Sequence, residues 1–249
     1  MNKDITFVVT SAGRFDLLEV TLDSFFEYNT APIARYVLTE DRGGKSVIEM
    51  LQKYPAEFDV FVNDPPIGAF KSIDRVYGTI TTPYIFHCED DWRFFRSGFI
   101  EESMVLLDAC SHISMVLNRR RGQTPMSDRI YQGEVQQYQG IKFRCAPMLA
   151  HPHWLGYSFN PGLRRLSDYR KMGSFGRWGV EIDASIYFKR QGMTMATLED
   201  PACETIGQGR HISDPALTRN WRSLFYQKQR TLAHHLENTL KRLGLRKPR

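Results

Sequence analysis

The sequence of 249 residues contains no apolar run near the roughly 18 residues that a membrane-spanning helix needs. Cysteine is scarce: Cys88, Cys110, Cys145 and Cys203 are the only 4, and no two form a C-x-x-C pair. Neither a zinc knuckle nor a disulfide framework is indicated. A reducing, cytoplasmic setting is the simple expectation. Internal repeats and low-complexity tracts are missing, and Met1-Asn2-Lys3-Asp4 leads straight into strand-like residues, which predicts no secretory leader. Disorder as the main state is excluded by 42% hydrophobic and 12% aromatic content at a net charge of only +5. What is left is one large α/β domain or two small ones, with enough chain to bury a substantial core.

The charge is unevenly placed. Arg219 to Arg249 holds nine Lys/Arg and one Glu, a local net of +8; the other 218 residues hold 24 basic and 27 acidic side chains, a net of −3. The pI near 9.0 therefore describes the tail rather than the body. Nucleic acid is not expected as a partner, despite Arg119-Arg120-Arg121, because the body is slightly acidic and carries no recognition motif. The tail reads as a basic helix over 218–249 with Trp221, Leu224, Phe225 and Leu232. It could lie on an anionic membrane surface or pack on the domain.

Along the chain, Ile5 to Thr10 is a continuous apolar run, as in a strand covered on both faces of a parallel sheet. Leu17, Leu18, Val20, Leu22, Phe25 and Phe26 follow at helical spacing. A strand at 34–38, a helix through Val47, Met50 and Leu51, and a strand at 58–62 complete a β-α-β-α-β series, the mark of an open wound sheet. A helix over about 71–79 leads to a fourth strand at 84–88, then a helix over about 99–110 and a strand at 113–117. Residues 119–139 have no clear period and read as a mobile or partner-shaped insertion. Two short strands are expected within 141–160. Pro161-Gly162-Leu163 opens a predicted helix to about Met172; a helix over 181–191 and a strand over 193–198 follow.

In such a sheet ligands bind beyond the carboxyl ends of the strands. Three polar clusters fall there: Thr10-Ser11-Ala12-Gly13-Arg14, Glu40-Asp41, and Glu89-Asp90-Asp91. The last is the sharpest. Three consecutive carboxylates lie between a buried strand and Trp92, Phe94 and Phe95, a placement that is costly without a cation or strong donors. A hard divalent ion, Mg²⁺ or Mn²⁺, is the natural partner, and it also accepts phosphate oxygens. A structural acidic turn is the plainer alternative.

A strand ending in E-D-D after a β-α-β-α-β half resembles the D-x-D motif of nucleotide-sugar-dependent glycosyltransferases of GT-A fold. The wider pattern is similar to family 2 of these enzymes, and the E-D-D spelling to N-acetylglucosaminyltransferase I. The resemblance implies a GT-A sheet, with a nucleotide-sugar half over 1–118 and an acceptor half over 119–217. It implies Asp91 as the ligand of Mn²⁺ or Mg²⁺ bridging the donor diphosphate, and Glu89 and Asp90 near ribose, sugar or metal-bound water. Thr10, Ser11, Ala12, Gly13 and Arg14 match the loop that holds base and ribose; Glu40-Asp41 matches an acidic nucleotide contact, although E-D-R-G-G replaces the usual D-D-G-S. Lys71 and Asp74 match donor-contacting positions, with an ordinary i,i+3 ion pair as the alternative. Glu181 takes the place of the catalytic base and Asp183 is the second candidate; a helix-start carboxylate favoured by the dipole is the plainer reading of Glu181. His211 matches a late histidine of the metal shell, and Arg210 beside it could neutralise the departing diphosphate.

The expected function is inverting transfer of a hexosyl or N-acetylhexosaminyl group from a nucleotide-diphosphate sugar, first of all a UDP-sugar, to a hydroxyl of a carbohydrate or lipid-linked acceptor. Cell-envelope polysaccharide synthesis would suit it. A sugar-nucleotide-forming nucleotidyltransferase would share the sheet, but Ser11-Ala12-Gly13-Arg14 does not fit its G-x-G-x-R loop. His151 and His153 form an x-H-x-H pair without a third ligand at useful spacing, so an acceptor-side loop or plain packing is preferred to zinc. Trp154, Phe175 and Trp178 are candidates for stacking on an acceptor sugar, with core packing the commoner fate.

Overall fold

A computed structural model of the chain describes residues 4–42, 44–123, 125–151, 153–177, 181–210 and 212, with backbone alone at 125–127. Its first half alternates strand and helix: β1 (Ile5–Ser11), α1 (Phe15–Tyr28), β2 (Ile33–Glu40), α2 (Ser46–Leu51), β3 (Phe58–Val62), α3 (Ala69–Tyr77) and β4 (Tyr84–Glu89). Then come β5 (Trp92–Phe94), α4 (Phe99–Ala109), β6 (Ile113–Leu117), α5 (Pro125–Ile130), β7 (Val135–Tyr138), β8 (Ile141–Cys145), β9 (Gly162–Arg165), α6 (Leu166–Met172), a 3₁₀ turn at Phe175–Arg177, α7 (Glu181–Arg190), β10 (Thr194–Leu198) and β11 (Cys203–Thr205).

Nine strands form one sheet in the order β3-β2-β1-β4-β9-β6-β10-β8-β7. Strands β3, β2, β1 and β4 run parallel, as do β6 and β10; β9 is antiparallel to β4 and β6, β8 to β10, and β7 to β8. The expected β-α-β-α-β half is present. Strand β1 reads as an apolar run because both its faces are covered: Phe7 and Val9 enter one core while Val8 enters the other. On the first face Phe7 stacks on Phe25 of α1 at 3.9 Å, and Phe86, Phe94 and Phe99 close around them. Each such buried aromatic contributes about 1.5–3 kcal/mol.

The second half departs from the expected elements in four places. Residues 162–165 are a strand, not the opening of a helix; α6 starts only at Leu166. Gly162 allows this, since a Cβ there would lie 2.4 Å from the Val116 carbonyl oxygen, and the tight approach seats β9 between β4 and β6. Residues 119–139 carry α5 and β7, which pairs with β8 at the sheet edge. Among the described residues of 141–160 one strand is found, β8. The 3-residue strands β5 and β11, which the sequence does not suggest, pair with each other just beyond the acidic motif. Residues 218–249, the basic tail, lie outside the described residues.

Candidate active site

The carboxyl ends of β1, β2 and β4 open on a cavity of about 190 Å³. Thr10, Ser11, Ala12 and Arg14 line it from β1, Thr39, Asp41 and Arg42 from β2, Ala69 and Ser72 from α3, and Glu89, Asp90 and Asp91 from β4. Parallel pairing in register produces this convergence: Thr10 stands beside Thr39 and Glu89, and Ser11 beside Glu40. The three polar clusters marked in the sequence thus meet at one edge. The Ser11 hydroxyl is buried and has no hydrogen-bond partner among the described residues. Gly13 lies in the turn after Ala12 without lining the cavity.

The three motif carboxylates have different surroundings. Asp90 is buried, and burial pushes its carboxyl up to about 6 even though the Arg14 guanidinium grips it. Arg14 pairs with Asp90 through Nη2, and its Nε donates to Asp90 Oδ2 at 3.4 Å; the Ala12 amide donates to that same oxygen at 3.2 Å. Asp91 is more accessible than Asp90, its side chain 18% exposed against 2%, and its Oδ2 accepts from Arg14 Nη1 at 3.0 Å. Gly207 covers it closely: a Cβ there would come within 2.1 Å of Asp91 Oδ2, so only glycine lets the segment after β11 pass. Burial, with Asp91 and Glu181 nearby, pushes the Glu89 carboxyl up to about 7. Its Oε2 accepts from Trp92 Nε1 at 3.1 Å and Asn160 Nδ2 at 3.3 Å.

At the end of β2 the two carboxylates serve the scaffold. Asp41 accepts from the amides of Ile67 and Gly68, both at 2.9 Å, from Asn63 Nδ2 at 3.1 Å, and from the Ser72 hydroxyl at 3.1 Å. It shapes the cavity wall by fixing the loop into α3. Glu40 is fully buried, and its Oε1 accepts from the Arg42 amide at 2.6 Å. Asp74, expected beside the donor, faces elsewhere. Its carboxylate accepts from the Tyr169 hydroxyl at 2.9 Å, the Ser174 hydroxyl at 2.6 Å, and the amides of Phe175 and Gly176 at 2.8 and 2.6 Å. Asp74 thereby anchors the 3₁₀ turn to α3. Exposed Lys71 forms no ion pair with it and does not line the cavity. The ion-pair reading of the two does not hold: the turn's donors satisfy Asp74, and Lys71 is exposed.

On the other side of Glu89 stands Glu181, the first residue of α7. Its Oε1 accepts from the Phe159 amide at 2.9 Å; burial raises its pKa, while Ser158, the Phe159 amide, Arg164 and Arg119 oppose the rise. Asp183 lies two residues on, close enough to the His153 ring to favour its charged form. Residues two apart on a helix are roughly 200° apart around its axis. Glu181 therefore joins the motif carboxylates, and Asp183 the 151–154 loop.

Several site residues were not singled out in the sequence. Asn160 bridges Glu89 and Arg119, accepting from Arg119 Nη1 at 2.5 Å. Fully buried Arg164 holds the same segment, donating to the Tyr157 hydroxyl and the carbonyls of Ser158, Asn160 and Gly162. The run Arg119-Arg120-Arg121 is no uniform basic patch. Each guanidinium lies over a different ring, Trp92, Phe95 and Tyr131, at 5.2, 4.7 and 5.3 Å.

Arg210, the expected diphosphate neutraliser, spends its guanidinium on Asp16 at 2.5 and 3.0 Å, and its carbonyl accepts from Arg14 Nη1 at 3.2 Å. His211 and Trp178 lie outside the described residues. His151 is buried, and its Nδ1 accepts from the amides of His153 and Trp154 at 3.2 and 3.0 Å, which makes it a loop-forming residue. Phe175 is 1% exposed and packs on Tyr77, Tyr157 and Phe159, so it is core rather than a stacking platform. Trp154 is partly exposed, with its indole N–H buried and unpartnered among the described residues.

No protein-family model matches the chain, and no curated protein matches it in sequence. Solved structures do match in shape. Staphylococcus aureus TarS 1–349 in complex with UDP is 12% identical at a TM-score of 0.60, over 81% of this chain and 60% of that one. The mannosyltransferase PcManGT from Pyrobaculum calidifontis, in complex with GDP-Man and Mn²⁺, is 12% identical at 0.63, over 84% and 59%. TarS 1–349 has also been solved in complex with UDP-GlcNAc, 11% identical at 0.58. The chain has the GT-A fold. It spans about three fifths of the length of these GT-A structures.

Within the GT-A sheet, a divalent ion would find an incomplete protein shell. Among the described residues no three His, Cys, Asp or Glu converge as ligands. Asp91 offers a hard oxygen donor, partly exposed at the cavity; Glu89 is partly exposed there too, but its Oε2 is taken by Trp92 and Asn160. One carboxylate with phosphate oxygens and water is a usual way of holding Mg²⁺, and the donor set fits an ion held jointly with a diphosphate.

Proposed function

We propose that the chain is an inverting, metal-dependent glycosyltransferase that uses a nucleotide-diphosphate sugar. The observation that carries this reading is the meeting of Thr10, Ser11, Asp91 and the other strand-end residues around one cavity of a GT-A sheet, with Glu181 beyond Glu89. The glycosyltransferases of similar shape, in complex with UDP, UDP-GlcNAc, or GDP-Man and Mn²⁺, support it. Residues 1–118 form the nucleotide-sugar half, 119–217 the acceptor half, and 218–249 a separate basic segment.

In the proposed reaction the β1 loop, with Ser11 and Arg14, binds the nucleotide. Asp91 would hold Mn²⁺ or Mg²⁺, which when bound supplies positive charge to the leaving diphosphate. Glu181 removes the proton from the acceptor hydroxyl as that oxygen bonds to the anomeric carbon. The bond from that carbon to the diphosphate breaks, and the nucleoside diphosphate leaves with its electron pair. Burial suits Glu181 to the task, because a raised carboxyl is a stronger base once ionised. Asp183, directed to the His153 loop, is the weaker candidate.

The acceptor is a hydroxyl of a carbohydrate or lipid-linked carbohydrate. No described helix is long and apolar enough to cross a membrane. Contact with a membrane surface would rest on residues 218–249, and liposome co-sedimentation of the full chain against a chain ending at Pro215 tests it. For the activity itself, nucleotide release from UDP- and GDP-sugars with Mn²⁺ is the assay. Release that depends on metal and is lost in both Asp91→Ala and Glu181→Gln supports the reading. Pyrophosphate release from a nucleoside triphosphate would instead identify a nucleotidyltransferase.

A further inference from the structure

The Arg14 guanidinium occupies the place where a cation would be needed by the acidic motif. It grips Asp90 through Nε and Nη2, and reaches Asp91 Oδ2 at 3.0 Å through Nη1. These two ties differ in kind. Asp90 is 2% exposed at its side chain and receives the Ala12 amide as well, so its bond to Arg14 is built into the scaffold. The Asp91 tie is a single bond between two side chains, 15% and 18% exposed, at the wall of the cavity. The same Nη1 also donates to the Arg210 carbonyl, at 3.2 Å. A guanidinium has five N–H donors in a fixed fork and matches phosphate as well as carboxylate.

Resting on the proposed donor reading, we propose that Arg14 is an exchangeable counter-ion. In the nucleotide-free protein it neutralises Asp91; when a nucleoside diphosphate and a divalent ion bind, the ion takes Asp91 and Arg14 turns its freed N–H to a phosphate oxygen. Charge bookkeeping requires a coupled event. A diphosphate alone meets Asp91 and Asp90 while Arg14 is committed to both carboxylates. A divalent ion alone must displace Arg14 from Asp91, leaving two cations side by side. Arriving together, the ion serves Asp91 and the diphosphate, and Arg14 serves Asp90 and the diphosphate. Arg210 does not provide this cation, because its guanidinium is held by Asp16 on the outer surface. The consequence is mutual: the nucleotide tightens the metal by the factor by which the metal tightens the nucleotide.

The test is a titration of Mn²⁺ followed by the electron paramagnetic resonance signal of the free ion, on full-length protein, with and without UDP and, in a second arm, GDP. In the wild-type protein one of the two nucleotides should tighten Mn²⁺ about tenfold or more. In Arg14→Gln, Mn²⁺ alone should bind several times tighter than in wild type, and the enhancement by nucleotide should collapse. Arg14→Lys keeps a cation for Asp90 without the fork; should Arg14→Gln fail to fold, Arg14→Lys should change both quantities in the same direction. The inference is overturned if the variants bind Mn²⁺ alone no tighter than wild type, whether or not nucleotide affinity falls. Absence of any effect of UDP or GDP on Mn²⁺ in the wild-type protein overturns the donor reading as well, and so separates the two failures.

Discussion

The two halves of the sheet treat their carboxylates in opposite ways. In the parallel half, β3-β2-β1-β4, the acidic residues at the strand ends are largely used up inside the protein: Asp41 by two amides, Asn63 and Ser72, and Asp90 by Arg14 and the Ala12 amide. In the mixed half, Glu181 sits at the head of α7, with the Phe159 amide and Ser158 as its partners and two buried arginines near. The first arrangement builds a rigid cradle. The second leaves a carboxylate that can gain and lose a proton. Asp91 belongs by sequence to the first half, yet among the described residues only Arg14 ties its side chain, at the wall of the cavity. The lesson is that acidity at a strand end does not by itself mark a ligand; spare hydrogen-bonding capacity does.

Substitutions can break this contrast, taken here from the largest expected effect. Glu181→Gln should lower turnover by roughly 10²–10⁴-fold, the usual worth of a general base, with nucleotide affinity retained. Asp183→Asn measured in parallel should stay within a few-fold of wild type; equal losses would dissolve the distinction between the two positions. Asp91→Ala should reduce turnover about 10²–10³-fold through lost charge stabilisation, with little change in melting temperature, because the side chain is partly exposed. Asp41→Ala should behave in the reverse sense. It removes the acceptor of the Ile67 and Gly68 amides and frees the 67–68 loop, at a cost of about 3 kcal/mol, which is a fall of roughly 6–12 °C in melting temperature.

The pH profile sharpens the same division. Burial raises the Glu181 pKa, and a base works only when ionised, so kcat/KM should climb with pH through a midpoint above the ordinary glutamate range. In stability the sign is opposite. Neutral Glu181 is the form the fold favours, so its contribution is complete at pH below the ordinary glutamate pKa and is lost as pH rises through the folded value. A rate profile with its acid limb at the ordinary carboxylate value would remove Glu181 from the base role. The smallest effect belongs to Arg210→Ala: its pair with Asp16 is fully exposed, and calorimetry should find the melting temperature nearly unchanged.

The parallel half was readable in the sequence because a strand covered on both faces leaves an apolar run, as at Ile5–Thr10. The mixed half was readable only in part: β6, α7 and β10 fall where the sequence places them. Strands β5, β9 and β11 are three or four residues long, too short to carry a period, and exist through pairing with distant partners. Gly162 read as a helix opening, although its contact with Val116 places it in a strand. At the site, the meeting of the three strand-end clusters at one edge was legible from position. The anchoring roles of Asp41 and Asp74 were not, since their partners lie 22–31 and 95–102 residues away. Asn160 has no sequence signal beyond its place before Pro161; its role comes from the meeting of Glu89 and Arg119 around it.

The most direct test of the central claim is the melting temperature of the full-length protein with UDP or GDP, each with and without Mn²⁺. A ligand at a hundredfold excess over its Kd stabilises the native state by about 2.7 kcal/mol, a rise of roughly 5–11 °C for a chain of this size. The account predicts such a rise with one nucleotide only when Mn²⁺ is present, and its loss in Asp91→Ala. A melting temperature unmoved by either nucleotide with Mn²⁺, or a rise that survives in Asp91→Ala, would contradict it.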